Sequence, residues 1–160
     1  MKDIVEIVTP LLVFVFGIVI SKKLEKVRLN VLKEKEWQVR WADLFFTEAI
    51  EFNDNVSFII YTLFKLFHNE VEKSHEEIER LRNDFDVGRA KLSEINWNIR
   101  NYTQFSNTGE LVVERQLELM LLIQKIATNN GGDYEEVRKV QFDYNRAVRQ
   151  VHNDILNQVL

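Results

Sequence analysis

An unbroken apolar stretch near the N-terminus sets the tightest limit on what this chain can become. Ile4 to Ile20 reads IVEIVTPLLVFVFGIVI, 17 residues with Glu6 as the single charge. As a helix it spans roughly 25 Å, the short end of what the hydrocarbon of a bilayer requires. A cleaved signal peptide predicts small residues at cleavage spacing, and Ser21-Lys22-Lys23 follows instead. A core helix of a small domain keeps a polar face, and Leu11 to Ile20 offers none. The expectation is therefore a single transmembrane helix over residues 1–21. Residues 21–40 hold seven Lys and Arg against three Glu, whereas Lys2 on the other side is opposed by Asp3 and Glu6. The positive-inside bias then predicts a single-pass protein of a bacterial inner membrane, with the N-terminus outside and the C-terminal domain cytoplasmic. Lys22, Lys23, Lys26 and Arg28 are expected to contact lipid of the inner leaflet.

The rest of the chain reads as helix. Pro10 is the only proline, glycine occurs five times, and Leu, Glu, Lys, Arg, Ile and Val dominate, so the fold class is all-α. The absence of cysteine excludes a disulfide framework, a cysteine zinc finger and a thiol nucleophile. A net charge of -4 speaks against coating of nucleic acid, and no stable nucleic-acid binding is expected. No breaker stands between Lys22 and Phe52, and Val27, Val31, Trp41, Leu44 and Phe45 recur at near-helical spacing, which predicts a basic stalk helix over 22–52. Asn53-Asp54-Asn55 can cap or kink it, and Val56 to Phe67 reads as the buried centre of a domain. Ser74 with Glu77 is a capping-box pattern, followed by Ile78, Leu81, Phe85, Gly88, Leu92, Ile95, Ile99 and Tyr102 at steps of three and four. Ser106-Asn107-Thr108-Gly109 ends that helix. Leu111 to Ile126 is apolar on nearly every side, which places it centrally or at an interface. Asn129 to Gly132 forms the last loop, Asp133 with Glu136 is another cap, and Val137, Val140, Tyr144, Val148, Val151, Ile155 and Val159 continue the pattern. Short loops between such helices predict an antiparallel helical bundle over 53–160.

Chemistry-bearing motifs are sparse. No glycine-rich phosphate loop, nucleophile elbow or HExxH helix is present. Glu72 and His75 make one Glu-x-x-His pair, but di-iron bundles need a second pair and further carboxylates, and the chain has only His68, His75 and His152. A solvated helix face is the expectation there, with no metal and no cofactor. The C-terminal helix carries Arg146-Ala-Val-Arg149-Gln-Val-His152. Arg149 and His152 share a face, and Arg146 lies about a third of a turn from His152. Arginine can hold phosphate charge while histidine moves a proton, so Arg146, Arg149 and His152 are the catalytic candidates. The competing reading makes them ordinary helix residues.

An N-terminal apolar anchor, a basic stalk, a bundle of this size and Arg146-x5-His152 together resemble the small membrane accessory proteins of type VI-B CRISPR systems. The resemblance covers the full chain by layout and the Arg146 to His152 segment by motif. It implies a divergent HEPN-like bundle, a role in antiphage defence and a functional link to an RNA-guided RNase. It also implies a homo-oligomeric ring, an octamer on the family's pattern, that opens a pore in inner-membrane lipid. Active HEPN nucleases prefer a polar residue after the arginine and a shorter gap to the histidine. Ala147 and the five intervening residues depart from that pattern, so the chain is not expected to be an enzyme. In a ring, Glu6, Pro10, Leu11, Leu12, Phe14, Phe16 and Ile18 become the pore and membrane residues, with Glu6 placed to affect ion selectivity. The alternatives are a membrane-tethered HEPN-type RNase and a non-enzymatic membrane scaffold.

Overall fold

The computed structural model describes residues 2–68 and 73–157, with side chains from Phe16 onward. Among these residues there are four helices and no strand: α1 (Lys2–Phe67), α2 (His75–Thr103), α3 (Gly109–Thr128) and α4 (Tyr134–Asn157). The chain divides into two compact units, Met1–Gln38 and Val39–Leu160. The second is an all-helical bundle.

Its core follows from one repeated spacing. On α1 the buried apolar side chains are Ala42, Phe45, Ala49, Phe52, Val56, Ile59 and Leu63, alternating by three and four, with Thr62 buried beside the last. The same alternation runs through Leu81, Gly88, Leu92, Ile95 and Ile99 on α2, with half-buried Phe85 filling the missing step. It recurs in Val112, Gln116, Leu119, Ile123 and Ile126 on α3 and in Val137, Val140, Tyr144, Val148, Val151 and Ile155 on α4. A three-four repeat keeps one stripe of each helix facing its neighbours, which is the condition for knobs-into-holes packing in a bundle.

Cross-helix bonds fix the directions. Asn55 Nδ2 donates to the Gly88 carbonyl at 2.8 Å, Lys91 Nζ pairs with Glu51 at 2.5 Å, and Asn98 Nδ2 donates to Glu48 at 3.3 Å. Numbers fall along α1 as they rise along α2, so the two are antiparallel. Gln141 Nε2 donates to Asn53 Oδ1 at 3.1 Å, the Tyr144 hydroxyl donates to the Ala49 carbonyl at 3.2 Å, and His152 packs on Phe46 at 5.1 Å. Helix α4 is antiparallel to α1 by the same logic. Gly88 allows the close approach of α2 to α1, since a Cβ there would stand 2.8 Å from Ile59 Cγ1.

Both anticipated caps are present. Ser74 Oγ accepts from the Glu77 amide at 3.2 Å, and Asp133 Oδ1 accepts from the Glu135 and Glu136 amides at 2.9 and 3.1 Å. Each satisfies donors that the first helical turn leaves without partners. The Asn129 to Gly132 turn uses a left-handed residue, Asn130 at φ 55°, and then Gly131 at φ 145°, where a side chain would be strained. Asn53-Asp54-Asn55 does not cap α1, which runs through it. Asn53 and Asn55 turn their polar groups to α4 and α2 instead, so their helix-disfavouring backbone competition is diverted into inter-helix bonds.

The membrane expectation is corrected. Among the described residues no helix is long and apolar enough to cross a membrane. Beyond Ile20 the helix carries Lys22, Lys23, Glu25, Lys26 and Arg28, charges that hydrocarbon does not accommodate. The reading as a single-pass inner-membrane protein with a transmembrane helix and a pore is overturned by that finding. Of the residues assigned to the pore, Phe16 and Ile18 are exposed helix residues, while Glu6, Pro10, Leu11, Leu12 and Phe14 lie outside the described side chains. Lys22, Lys23, Lys26 and Arg28, expected at the inner leaflet, are exposed on α1.

Candidate functional site

The C-terminal candidates do not converge. Arg146 is largely exposed, its guanidinium 5.2 Å from the Phe142 ring centroid and its Nη1 3.9 Å from Asp143. His152 is half-buried against Phe46, and Arg149 is exposed. His152 lies six positions after Arg146, about 9 Å along the helix, and the two leave in directions about 120° apart. Ala147, the departure from the nuclease pattern, is buried in the bundle. Its small size lets α4 seat on its neighbours, where the polar residue of that pattern would need a partner. His75 Nε2 lies 3.4 Å from Glu79 on an exposed face, while Glu72 is outside the described residues.

Three other places on the molecule have the shape of recognition surfaces. Two were not singled out in the sequence. Between α2 and α3 lies an open cleft of 590 Å³ whose lining includes Phe85, Arg89, Leu117, Met120 and Leu121. Between α1 and α4 lies a second, of 490 Å³, rich in aromatic rings. The third belongs to the first unit. Ile20, Leu24, Val27 and Val31 are 56, 65, 53 and 40% exposed, and they follow one another by four, three and four residues. That is the seam spacing of a coiled coil, presented on exposed helix. On a heptad with Leu24 and Val31 at a and Ile20 and Val27 at d, the e positions hold Ser21, Arg28 and Lys35 and the g positions Lys23, Asn30 and Trp37, so every charge on the flanks is positive. The stretch from Phe16 to Gln38 carries six Lys and Arg against three Glu.

Two further features hold the bundle together. Asp154 on α4 accepts hydrogen bonds from Thr108 and, at 3.3 Å, from Ser106, pinning the α2–α3 turn. Tyr144 is buried among core side chains, and burial raises its phenol well above the ordinary value. No protein-family model, curated protein or solved structure matches this chain.

Proposed function

We propose that this protein is a non-enzymatic helical adaptor, in which the bundle serves as a stable body and the Phe16 to Gln38 stretch docks an amphipathic helix of another chain. The observation that carries this reading is the exposed seam of Ile20, Leu24, Val27 and Val31. Apolar rows of this kind, left exposed along a helix, mark association sites. The flanking charges select the occupant. Two parallel copies would set Lys23 of one against Arg28 of the other, and antiparallel copies would likewise oppose basic flanks. A helix with apolar a and d positions and Glu or Asp at e and g gains where a second copy loses.

The HEPN-like form of the bundle and a setting in CRISPR-linked defence belong to the same proposal, supported by the Arg146 to His152 segment. An adaptor brought beside an RNA-guided RNase needs a docking row and no catalytic pair of its own.

The test uses the full chain and two dye-labelled synthetic peptides of repeated heptads with Leu in the core positions, one with Glu and one with Lys at the flanks. Fluorescence anisotropy should detect the Glu peptide alone, with affinity falling as salt rises from about 0.1 M to 1 M. The double variant Leu24→Gln, Val31→Gln should lose that binding with an unchanged circular dichroism spectrum. Equal binding of the two peptides, or retention by the double variant, refutes the docking row. Self-association in sedimentation that the double variant abolishes would make a second copy the occupant and refute the acidic partner.

A further inference from the structure

The aromatic cleft between α1 and α4 has a composition that packing does not explain. Tyr61 and Phe64 are 57 and 41% exposed on α1, beside the buried row that forms the core. Phe64 meets the Tyr134 ring edge-on at 5.5 Å and 79° and stacks on His68 at 4.2 Å and 20°. His68 and Tyr134 are themselves 6.5 Å apart at 71°. The rings thus hold one another at defined angles while Tyr61 and Phe64 keep part of their surface in water. Large aromatic surfaces placed together in water cost free energy unless something covers them.

The polar groups around these rings narrow what that is. Tyr134 lines the cleft and its hydroxyl is buried without a hydrogen-bond partner. A phenol is protonated at neutral pH and so able to donate, and burial raises this one further above the ordinary value. Ser57 and Gln141 lie along the same wall, linked by a 3.0 Å bond from Gln141 Nε2 to Ser57 Oγ. Arg138, whose Nη1 is 3.0 Å from Glu135, lines the cleft, and Lys65 reaches over the ring of the lining residue Tyr61, its Nζ 4.5 Å from the centroid. One carboxylate is already engaged by one guanidinium, and Lys65 leaves a positive excess. A quaternary ammonium, the other ligand that aromatic walls favour, would meet that charge as repulsion. A cleft of 490 Å³ falls in the size range of small-molecule sites.

We propose that the cleft between α1 and α4 is a binding site for a nucleoside monophosphate, its base stacked on Tyr61 and Phe64, its edge hydrogen-bonded by Tyr134 and its phosphate held by Lys65. Stacking on aromatic side chains is tolerant of base identity because every base has a π-face, and the phosphate supplies the anion that Lys65 attracts. The site lies wholly on the bundle and is independent of the helix-docking row on α1.

Isothermal titration of the full chain with adenosine monophosphate, adenosine and ribose 5-phosphate separates the contributions. The monophosphate should bind, adenosine should bind several-fold more weakly, and ribose 5-phosphate should give no heat. Tyr61→Ala removes one stacking face and should weaken the monophosphate by about tenfold or more. Tyr134→Phe deletes only the hydroxyl and should cost about three- to tenfold. Lys65→Gln should abolish the preference of the monophosphate over adenosine. Tyr61 and Lys65 are exposed, and Tyr134→Phe keeps the ring, so each variant should retain the helical circular dichroism spectrum of the parent. No binding of the monophosphate at millimolar concentration overturns the proposal. So does binding that Tyr61→Ala and Tyr134→Phe leave unchanged, or equal binding of ribose 5-phosphate.

Discussion

Replacing Gln116 by methionine should make the bundle more stable. Gln116 occupies a seam position of α3, one turn from Val112 and Leu119, and its side chain is completely buried. Neither its amide nitrogen nor its amide oxygen has a hydrogen-bond partner. A buried polar group without a partner keeps the cost of leaving water and gains nothing in return, about 1–3 kcal/mol. Methionine has the same unbranched length and carries no polar hydrogens, so it fills the space without the penalty. The expected gain is about 2 kcal/mol, or on the order of 8 °C in Tm for a bundle of this size.

The assay is guanidinium unfolding followed by circular dichroism at 222 nm, with the parent, Gln116→Met and Gln116→Ala compared at constant slope. Gln116→Ala removes the same amide but leaves a cavity in the seam, so it should fall below the methionine variant by about 2 kcal/mol or more. A parent more stable than Gln116→Met by about 1 kcal/mol, with the slope unchanged, would refute the reasoning. The amide would then be engaged by a partner, and the seam would be more polar than its geometry implies.

Tyr144 gives a pH signature. Its folded phenol is raised well above the value of 10.0 that it regains on unfolding, and Tyr134 is raised as well. The unfolded chain therefore releases protons first as pH rises, so stability is full below about pH 10 and is lost above it. Tyr144→Phe should flatten most of that alkaline loss while costing about 1 kcal/mol at neutral pH through the bond to the Ala49 carbonyl; an unchanged alkaline slope in melts across pH 8–11.5 would contradict the burial argument. Arg146→Ala should change stability by less than about 0.5 kcal/mol, as an exposed residue, whereas His152→Ala should cost about 1 kcal/mol through its contact with Phe46. Metal-independent RNA cleavage by the purified protein, abolished by either substitution, would show that the pair is catalytic.

Much of the bundle was legible because its signals are local. Ser74 and Asp133 announce helix starts by side chains that reach only two or three residues ahead, and Leu92, Ile95 and Ile99 announce a buried face by their spacing. The inner face of α3 was not legible in the same way. Leu117 and Leu121 are apolar yet about half exposed, while Gln116 next to Leu117 is buried, so hydrophobicity alone points to the wrong side of the helix. What decides the matter is the three-four repeat of Val112, Gln116, Leu119, Ile123 and Ile126, which only the neighbouring helices make visible. The aromatic cleft was hidden for a related reason. Tyr61 and Tyr134 stand far apart in sequence, and no periodicity relates one helix to the other.

The seam of α1 also accounts for where the bundle begins. Stepping back by sevens from Ala42 gives Lys35, Arg28 and Ser21, and from Phe45 gives Gln38, Val31 and Leu24. If the same pair of lines stayed buried, two long cations would have to leave water without partners, a cost that no methylene packing offsets. The compact unit starts at Val39, past those cations. The apolar row of the first unit follows a different pair of heptad lines in the sequence: Leu24 and Val31 share the line of Phe45, but their companions Ile20 and Val27 fall on the line of Trp41 and not on that of Ala42. With Lys23 and Arg28 as its shoulders, it is a separate surface with a different charge requirement. For that reason the docking of an acidic helix can be disabled at Leu24 and Val31 without touching the core.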